Sequence, residues 1–380
     1  MIKLRGRIDT SNAAEFEKEM MGLVSPDMVL DASELEYISS AGLRVLLKLR
    51  KQLGKPVQIL NVSPDVYEIF EVTGFTDLLD VRKRLREVSV EGCEKIGMGG
   101  NGEVYRLDAE TILKLYNEGT SLEKISLEKK YATEAFKAGL PCAISYDTVQ
   151  CGNRYGIVFE LLNAVTVGKA VDADPSLIPK LGREMGALMK QLHSTEVPAG
   201  ILPKMSDKVS EWINYLEEKY LAHEDAELMR SVAGAISEKN TLVHGDFHEG
   251  NVMLQGEELL LIDLDDISTG NALFDLAFHY AGHVIAAQSS PESMRHSMGM
   301  STETGLKMYR YSLEEYLGTE DLADHEQAMQ LLSLFFLILY LGKGKDSRNL
   351  TPEKAEGVLS QVLPQFRQMA PMIAGVAGKY

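Results

Sequence analysis

The residues best suited to chemistry in this chain lie in one short segment and in the strand pair that follows it. The segment Leu242–Leu254 reads LVHGDFHEGNVML, and Leu259–Asp266 reads LLLIDLDD. Asp246 and Asn251 stand five residues apart on one loop, and Asp263 closes the strand pair. Phosphoryl transfer needs a carboxylate near the acceptor hydroxyl and hard oxygen ligands for Mg²⁺. The spacing therefore predicts that Asp246 orients or deprotonates an acceptor, while Asn251 and Asp263 hold Mg²⁺ on the phosphates of ATP.

A glycine-rich stretch farther upstream is a candidate cover for those phosphates. It spans Ile96–Leu107, and its glycines, which let backbone N–H groups approach phosphate oxygens, are Gly97, Gly99, Gly100 and Gly102. The stretch satisfies the dinucleotide-binding GxGxxG pattern, but such a loop opens a helix, whereas Thr111–Tyr116 has the pattern of a strand. A glycine turn followed by a strand that bears Lys114 is typical of a phosphate-covering hairpin. Taken alone, the stretch fits a glycine-rich surface turn equally well.

The predicted pattern of secondary structure around these residues changes near residue 88. Before it, strand-like runs such as Ile2–Ile8 alternate with helical runs such as Ala41–Leu53, which predicts a compact α/β domain over residues 1–88 with a mostly parallel sheet. The charged stretch Val81–Gly92 is predicted to be the last helix of that domain. Residues 93–162 have the pattern of strands around one helix, Ser126–Ala138, and residues 163–380 are mainly helical. The second part is therefore predicted to be bilobal, with a ligand in the cleft between its lobes.

Composition limits the classes of function. The net charge of −17 comes almost wholly from the residues after residue 88, which include 26 basic and 42 acidic residues. A domain this acidic is a poor nucleic-acid binder, and it leaves room for a cationic ligand. The longest apolar run, Leu331–Gly342, is too short to span a membrane and predicts a buried helix. The first ten residues lack the features of a signal peptide, and Cys93, Cys142 and Cys151 match no metal site or disulfide framework. We therefore expect a cytoplasmic protein.

The segment from Ile96 to Ala277 resembles the aminoglycoside phosphotransferase and choline kinase family, which is related to protein kinases. The HGDxHxxN pattern is highly specific to that family, and QLHS at Gln191–Ser194 and FDLA at Phe274–Ala277 match it as well. The resemblance implies that Lys114 pairs with the phosphates of ATP. Its carboxylate partner is then Glu128, with Glu134 as the alternative.

The same resemblance assigns roles to further residues. Val158–Leu162 resembles the hinge whose backbone, here at Glu160 and Leu162, binds adenine. Asp275 is implied to have a structural role behind the catalytic loop. The spacing of His244 and His248 would also suit a metal, but zinc would need a third ligand and a helix, so the resemblance favours a role in ordering the loop for both. Lys114, Asp246, Asn251 and Asp263 are all present, which favours an active enzyme over a nucleotide-binding relative without catalysis.

Two departures from the family pattern bear on the acceptor. Asp265 stands where a glycine is usual, which adds a second carboxylate able to touch metal. Asp275 follows Asp263 by only twelve positions, which leaves little room for the long activation segment on which protein kinases dock peptides. A small-molecule acceptor is therefore favoured over a protein.

Residues 2–85 resemble the STAS domain of bacterial anti-sigma factor antagonists, most specifically through the DASELEYISSAGL stretch that begins at Asp31. Such domains bind partners, typically anti-sigma kinases or other subunits of a regulatory assembly. The resemblance places a phosphorylated serine two residues before Gly42, at Ser40. Ser39 or Ser40 could equally cap the helix that follows, so capping and regulation both remain open.

The predicted fold class is thus an α/β STAS domain followed by an α+β, bilobal, protein-kinase-like domain. The predicted function is transfer of phosphate from ATP, with Mg²⁺, to a hydroxyl of a small molecule such as an aminoglycoside-like or choline-like compound. The alternative is a partner-switching regulatory protein whose kinase-like half senses a ligand without turnover.

Overall fold

Two units make up the chain, Met1–Val88 and Ser89–Tyr380. The computed structural model describes residues 1–289, 291–346 and 350–380. Each unit has a hydrophobic core of its own, as expected of parts that bury their own apolar faces. Within the described residues, every helix is too short or too polar to cross a membrane.

The first unit is a parallel four-stranded sheet with three helices. Its elements are β1 Ile2–Ile8, α1 Ala13–Gly22, β2 Val29–Ile38, α2 Ser40–Leu53, β3 Gln58–Val62, α3 Pro64–Val72 and β4 Asp80–Lys83. The strand order is β1-β2-β3-β4, with neighbours parallel, so each strand must be joined to the next by a crossover. Leu30, Leu46, Ile59 and Phe70 are fully buried in its core. The predicted parallel α/β domain is confirmed.

The predicted helix at Val81–Gly92 is wrong. This region instead contains β4 and a two-residue strand, β5 Arg86–Glu87. β4 pairs with the edge of β3, where Asp80 lies opposite Gln58 and the two side chains hydrogen-bond at 2.9 Å. Val81 packs against the core of the unit. A strand here supplies hydrogen-bonding partners for the backbone of β3, which a helix cannot do.

The beginning of α2 explains two residues of its motif. A side chain at Gly42 would start 2.7 Å from both Ile8 and Ile38, so only glycine lets the helix pack this closely on the sheet. The hydroxyl of Ser39 caps the helix, because it accepts hydrogen bonds from the backbone N–H groups of Ala41 at 3.2 Å and Gly42 at 3.4 Å. The neighbouring Ser40 is exposed, and its hydroxyl lies 3.4 Å from the guanidinium of Arg44.

The second unit begins with an antiparallel sheet and one helix. The elements are β6 Glu94–Met98, β7 Gly102–Arg106, β8 Thr111–Tyr116, α4 Leu122–Lys137, β9 Ser145–Cys151 and β10 Arg154–Glu160. These five strands are ordered β9-β10-β8-β7-β6. At Gly102, a Cβ atom would lie 2.2 Å from the carbonyl oxygen of Leu115, so β7 and β8 can pair here only around a glycine.

The remainder of the second unit is mainly helical. Its strands are β11 Val165–Thr166, β12 Leu242–Val243, β13 Val252–Gln255, β14 Glu258–Leu261 and β15 Ser268–Thr269. Its helices are α5 Val167–Ala173, α6 Ile178–Ser194, α7 Met205–Lys219, α8 His223–Ala235, α9 Leu273–Tyr280, α10 Ala286–Ser289, α11 Pro291–Met298, α12 Thr302–Leu317, α13 Ala323–Lys343 and α14 Pro352–Ala377. A π-helix, Ala281–Ile285, joins α9 to α10. The predicted buried helix is part of α13, where Phe335, Phe336 and Leu339 are inaccessible to solvent.

Candidate active site

Short strands bring the two ends of the candidate catalytic loop together. β12 pairs with β15 and leads directly into His244. The loop ends at Asn251, where β13 begins and pairs with β14. The backbone N–H of Ile262, just after β14, donates to the carbonyl oxygen of Asn251 at 3.0 Å. The hairpin therefore holds Asn251 and Asp263 at the same end.

A buried carboxylate, that of Asp275, anchors the first residues of this loop. It accepts hydrogen bonds from the backbone N–H groups of His244 at 2.8 Å and Gly245 at 2.7 Å, and it contacts the Nε2 atom of His193 at 3.0 Å. Burial disfavours its charged form, but the bonds from His193 and the backbone outweigh burial, so the pKa of Asp275 is lowered. Asp275 thus lies where the family resemblance implies a structural role.

A second buried carboxylate anchors the loop at Glu249. Its side chain is fully buried and lies 3.0 Å from the Nε2 atom of His283, which belongs to the π-helix. Burial raises the pKa of Glu249, but His283 outweighs burial and lowers that pKa to about 2. The carbonyl of Glu249 also accepts a hydrogen bond from the N–H of Gly168 at 3.2 Å. The loop is therefore fixed by a buried ion pair between Glu249 and His283 as well as by Asp275.

Between these anchors lies the side chain of Asp246. The Nδ2 atom of Asn251 donates to its carbonyl oxygen at 3.0 Å and to its Oδ2 atom at 3.1 Å. The Nζ atom of Lys343 lies 3.0 Å from Oδ1, and the Nε2 atom of His248 lies 3.6 Å from Oδ2. Burial opposes ionisation, but Lys343 and then His248 hold the pKa of Asp246 well below its usual range. Asp246 is therefore a carboxylate at neutral pH and can accept a hydrogen bond from a hydroxyl group.

The two histidines of the loop bond to the loop itself. The Nδ1 atom of His244 accepts a hydrogen bond from the N–H of Asp246 at 3.3 Å, and the Nδ1 atom of His248 accepts one from the N–H of Gly250 at 3.0 Å. Among the residues that the structure describes, no three His, Cys, Asp or Glu side chains are grouped to hold a metal ion. The role of His244 and His248 in ordering the loop remains a prediction.

Lys114 lies at the centre of a cluster of three carboxylates. Its Nζ atom is 2.9 Å from Glu128, 2.7 Å from Asp263 and 2.6 Å from Asp265. Of the two partners considered from the sequence, Glu128 makes this contact, while Glu134 pairs with Lys137 at 2.8 Å. Glu128 reaches Lys114 because it lies on the buried side of α4.

This cluster has an excess of negative charge. Three carboxylates surround one ammonium group, and burial followed by the charge of Glu128 raises the pKa of Asp265 to about 6, although Lys114 opposes the shift. Asp263 has a left-handed backbone with φ of 59°, a conformation that non-glycine residues adopt mainly at constrained sites. A divalent cation would offset the excess charge. The oxygens of Asn251 and Asp263, with Asp265 beside them, are the donors that Mg²⁺ prefers.

The glycine-rich stretch forms the turn between β6 and β7. The N–H of Gly99 donates to the carbonyl of Gly102 at 2.9 Å, which closes the turn. The side chain of Asn101 donates to Asp265 at 2.8 Å, so the turn is tied to the carboxylate cluster. Gly99 and Gly100 have open space beside their Cα atoms. A cleft of about 470 Å³ lies beside this turn, with Gly100, Glu128 and Asp265 in its wall.

The residues predicted to bind adenine lie at the end of β10. Glu160 is its last residue, and the N–H of Glu160 donates to the carbonyl of Ile144 at 3.0 Å. The Glu160 carboxylate accepts a hydrogen bond from the N–H of Ile144 at 2.7 Å. Leu162 follows in the connection to β11 and is half-buried. Adenine binding at Glu160 and Leu162 remains a prediction.

A family model described as the phosphotransferase enzyme family matches residues 92–296, which is more than half of the chain. The chain belongs to this phosphotransferase family. A second model, described as the Mlab STAS domain, matches residues 1–80. The predicted order of a STAS domain followed by a kinase-like phosphotransferase domain is confirmed.

Individual relatives fall into the same two groups. BtrV of Bordetella bronchiseptica, named as a candidate anti-sigma factor antagonist, is 40% identical over an 85-residue alignment, and the match covers 20% of this chain and 72% of that protein. The crystal structure of the ADP-bound aminoglycoside phosphotransferase APH(2'')-Ib is 16% identical, with a TM-score of 0.49 over 80% of this chain and 98% of that one. A choline/ethanolamine kinase family protein from Mesorhizobium loti is 14% identical, with a TM-score of 0.48 over 76% and 92% of the two chains. At such distances neither structure bears on the substrate of this phosphotransferase.

Sequence reasoning missed two lysines beside the candidate catalytic loop. Lys343, at the end of α13, contacts both Asp246 and the Oδ2 atom of Asp266, the latter at 3.1 Å. Lys208, on α7, donates to the carbonyl oxygen of Asp266 at 2.7 Å. Both are far in sequence from the catalytic loop. For Lys343 a signal existed, because it directly follows the most apolar run of the chain, where an ionisable side chain needs a buried partner.

Proposed function

We propose that the second unit transfers the γ-phosphoryl group of ATP, with Mg²⁺, to a hydroxyl group of a small molecule. The observation that carries the proposal is the contact network that links an ionised Asp246 to Asn251, and Lys114 to Glu128 and Asp263. Residues 93–162 would form the lobe that covers the nucleotide, and residues 163–380 the catalytic lobe. An ATP-dependent enzyme whose three cysteines are free thiols also fits the cytoplasm.

In this proposal each residue of the site has a physical task. The backbone of the glycine turn and the ammonium of Lys114 bind the phosphates of ATP, and Glu128 holds Lys114 in place. Asn251 and Asp263 hold Mg²⁺, which when bound neutralises charge on the phosphates. Asp246 accepts a hydrogen bond from the acceptor hydroxyl, aligns its oxygen and receives its proton.

The acceptor is proposed to be small because little chain is available to bind a peptide. The residues between Asp263 and α9 form a short 3-10 helix, Leu264–Asp266, and the strand β15, which is paired with β12. An aminoglycoside-like or choline-like compound, or another hydroxylated metabolite, fits this proposal. The acidic composition leaves room for a cationic acceptor, although Lys208 and Lys343 supply positive charge close to Asp246.

The proposal is tested with the full chain in two steps. Calorimetry should first show binding of Mg-ATP, and a library of hydroxylated metabolites and antibiotics should then be screened for ATP consumption. A compound that is phosphorylated on a hydroxyl group supports the proposal. If the chain binds Mg-ATP but consumes ATP in the presence of none of the compounds, the result favours the partner-switching alternative. If the chain binds no nucleotide, both assignments of the site fail.

We further propose that the STAS domain binds a protein partner and that phosphorylation of Ser40 controls this binding. The capping function belongs to Ser39, so the exposed Ser40 hydroxyl is available for modification. A phosphate on Ser40 would meet the positive end of α2 and the guanidinium of Arg44. It would also add about −1.5 to −2 charges to this surface, enough to repel an acidic or closely packed partner.

We expect substitutions of Ser39 and Ser40 to differ in their effect on the free energy of unfolding. Ser39→Ala should lower the free energy of unfolding by about 1 kcal/mol because the cap is lost, whereas Ser40→Ala should change it by less than about 0.5 kcal/mol. Urea denaturation of the full chain, followed through the STAS transition, provides the measurement. Mass spectrometry of the protein from its native cells should find phosphate on Ser40. A phosphate on Ser39, or on neither serine, would refute the proposed switch.

A further inference from the structure

Lys343 occupies an unusual place for a lysine. It is the last residue of α13, directly after a stretch of that helix rich in buried apolar side chains, and only 13% of its own side chain is exposed. Its Nζ atom also lies 5.7 Å from the ring centre of Phe278 and 5.8 Å from that of Tyr340. Removing an ammonium group from water is costly unless it is paired. Lys343 is thus positioned by two carboxylates and two rings rather than left on the surface.

The two carboxylates that hold Lys343 differ in what they do. Asp266 lies between Lys343 and Lys208, and it contacts both ammonium groups. Asp246 has its Oδ2 atom engaged by Asn251, whereas its Oδ1 atom faces Lys343 at 3.0 Å. Because Asp266 is shared with Lys208, its single negative charge does not balance both lysines, and Lys343 makes a second ion pair with Asp246. The second contact brings a positive charge to the carboxylate that receives the acceptor hydroxyl.

We propose that Lys343 is a further catalytic residue, whose ammonium group contacts the phosphoryl group while it passes from ATP to the acceptor. This assignment rests on the proposed function. The acceptor oxygen must come within about 2.6–3.2 Å of the Asp246 carboxylate, and it then forms its bond to phosphorus. Lys343 bonds to Oδ1 of the same carboxylate, which places its ammonium group near the acceptor oxygen as that bond forms.

A cation at this position would stabilise the negative charge of the phosphoryl group during transfer. The bond between the acceptor oxygen and the γ-phosphorus forms, the bond between that phosphorus and the β–γ bridging oxygen breaks, and ADP leaves with the electron pair. The proton of the hydroxyl passes to Asp246 and then to solvent. Negative charge is spread over the transferred group during this step, and a fixed ammonium group beside it lowers the barrier. Lys343 stays protonated throughout.

The contacts of the other lysines near the site support this role for Lys343. Lys114 is already engaged by Glu128, Asp263 and Asp265 at the other part of the site. Lys208 contacts Asp266 through its backbone carbonyl and its carboxylate. Among the lysines of the described residues, Lys343 is the one whose Nζ atom contacts Asp246. It is therefore the lysine placed to act where the acceptor and the phosphoryl group meet.

The test needs no knowledge of the acceptor. Mg-ADP with aluminium fluoride mimics the phosphoryl group in transfer, and calorimetry on the full chain compares its affinity with that of Mg-ATP. Lys343→Met should weaken binding of the mimic by about 100-fold, while Mg-ATP affinity stays within about threefold, because the contact matters most in transfer. Lys343→Arg should retain most of the affinity for the mimic.

Lys345→Met is the matched control, because Lys345 lies two residues away and pairs with the exposed Glu211. It should bind both ligands as the wild type does. Melting temperatures are recorded for all variants, and Lys343→Gln replaces the methionine variant should the latter unfold. Equal affinity of wild type and neutral variants for the mimic overturns the assignment, as does an equal loss for the mimic and Mg-ATP. A wild type that binds no Mg-ATP overturns the proposed function itself.

Discussion

Asp246→Asn is expected to lower the rate of phosphate transfer by about 100- to 10,000-fold, while Mg-ATP affinity changes by no more than about threefold. The amide keeps the shape of the side chain and a hydrogen-bonding partner for Asn251. It cannot receive the proton of the acceptor, and it removes the negative charge that faces Lys343 at 3.0 Å. The effect should therefore fall on turnover and not on binding.

The measurement uses the acceptor found by the metabolite screen, with the turnover rate and Mg-ATP binding determined on the same preparations. Asp172→Asn serves as the control, because Asp172 is an exposed residue of α5 that pairs with Arg295 at 3.3 Å. It should match the wild type in both measurements. If Asp246→Asn turns over as fast as the wild type, the role of Asp246 is wrong. A parallel loss of ATP affinity would mean that Asp246 acts in nucleotide binding.

Asp263→Ala is expected to abolish the dependence of nucleotide binding on Mg²⁺. We expect ATP affinity in the presence of Mg²⁺ to fall by about 100-fold, which corresponds to about 2.7 kcal/mol. The physical reason is that the variant loses a carboxylate ligand and also leaves Lys114 with two carboxylate partners instead of three. Calorimetric titrations with ATP, with Mg²⁺ and then with a chelator, measure the effect.

The backbone of Asp263 requires a companion variant. Its φ of 59° lies in the left-handed region, which asparagine and aspartate tolerate better than alanine does. Asp263→Asn keeps that conformation and removes only the charge, so it should lose Mg²⁺ dependence without a drop in melting temperature. An Mg-ATP affinity equal to that of the wild type in both variants would remove Asp263 from the proposed metal site.

The fold was largely predictable because its local patterns are strong. In the first unit, strands and helices alternate over distances at which the periodicity of apolar residues separates them. The glycine-rich turn and the strand with Lys114 were recognisable for the same reason, since each is a short contiguous pattern. The helix predicted at Val81–Gly92 was wrong because a charged stretch does not by itself distinguish a helix from an edge strand. There, pairing with β3 outweighed local preference, as tertiary contacts often do.

The site was predictable only where its members share a contiguous motif. Asp246, Asn251 and Asp263 lie within one loop and hairpin, so their spacing alone indicated chemistry. The choice between Glu128 and Glu134 depended on which side of α4 faces β8, and a pattern of charged residues does not determine that side. Lys343 reaches Asp246 from 97 positions along the chain. Its partner is set by the packing of α13, and the sequence indicated only that a lysine after so apolar a run needs a buried partner, not which one.

The two carboxylates that anchor the catalytic loop have a consequence for how this enzyme would fail on heating. Asp275 bonds the loop at its first two residues and Glu249 bonds it near its end, and both are buried with histidine partners. Local opening of the loop would leave the buried His283 without Glu249 and would take from the buried Asp275 its two backbone donors, which is more costly than opening a surface loop. Thermal inactivation should therefore coincide with cooperative unfolding of the helical core, with no inactive folded state preceding it.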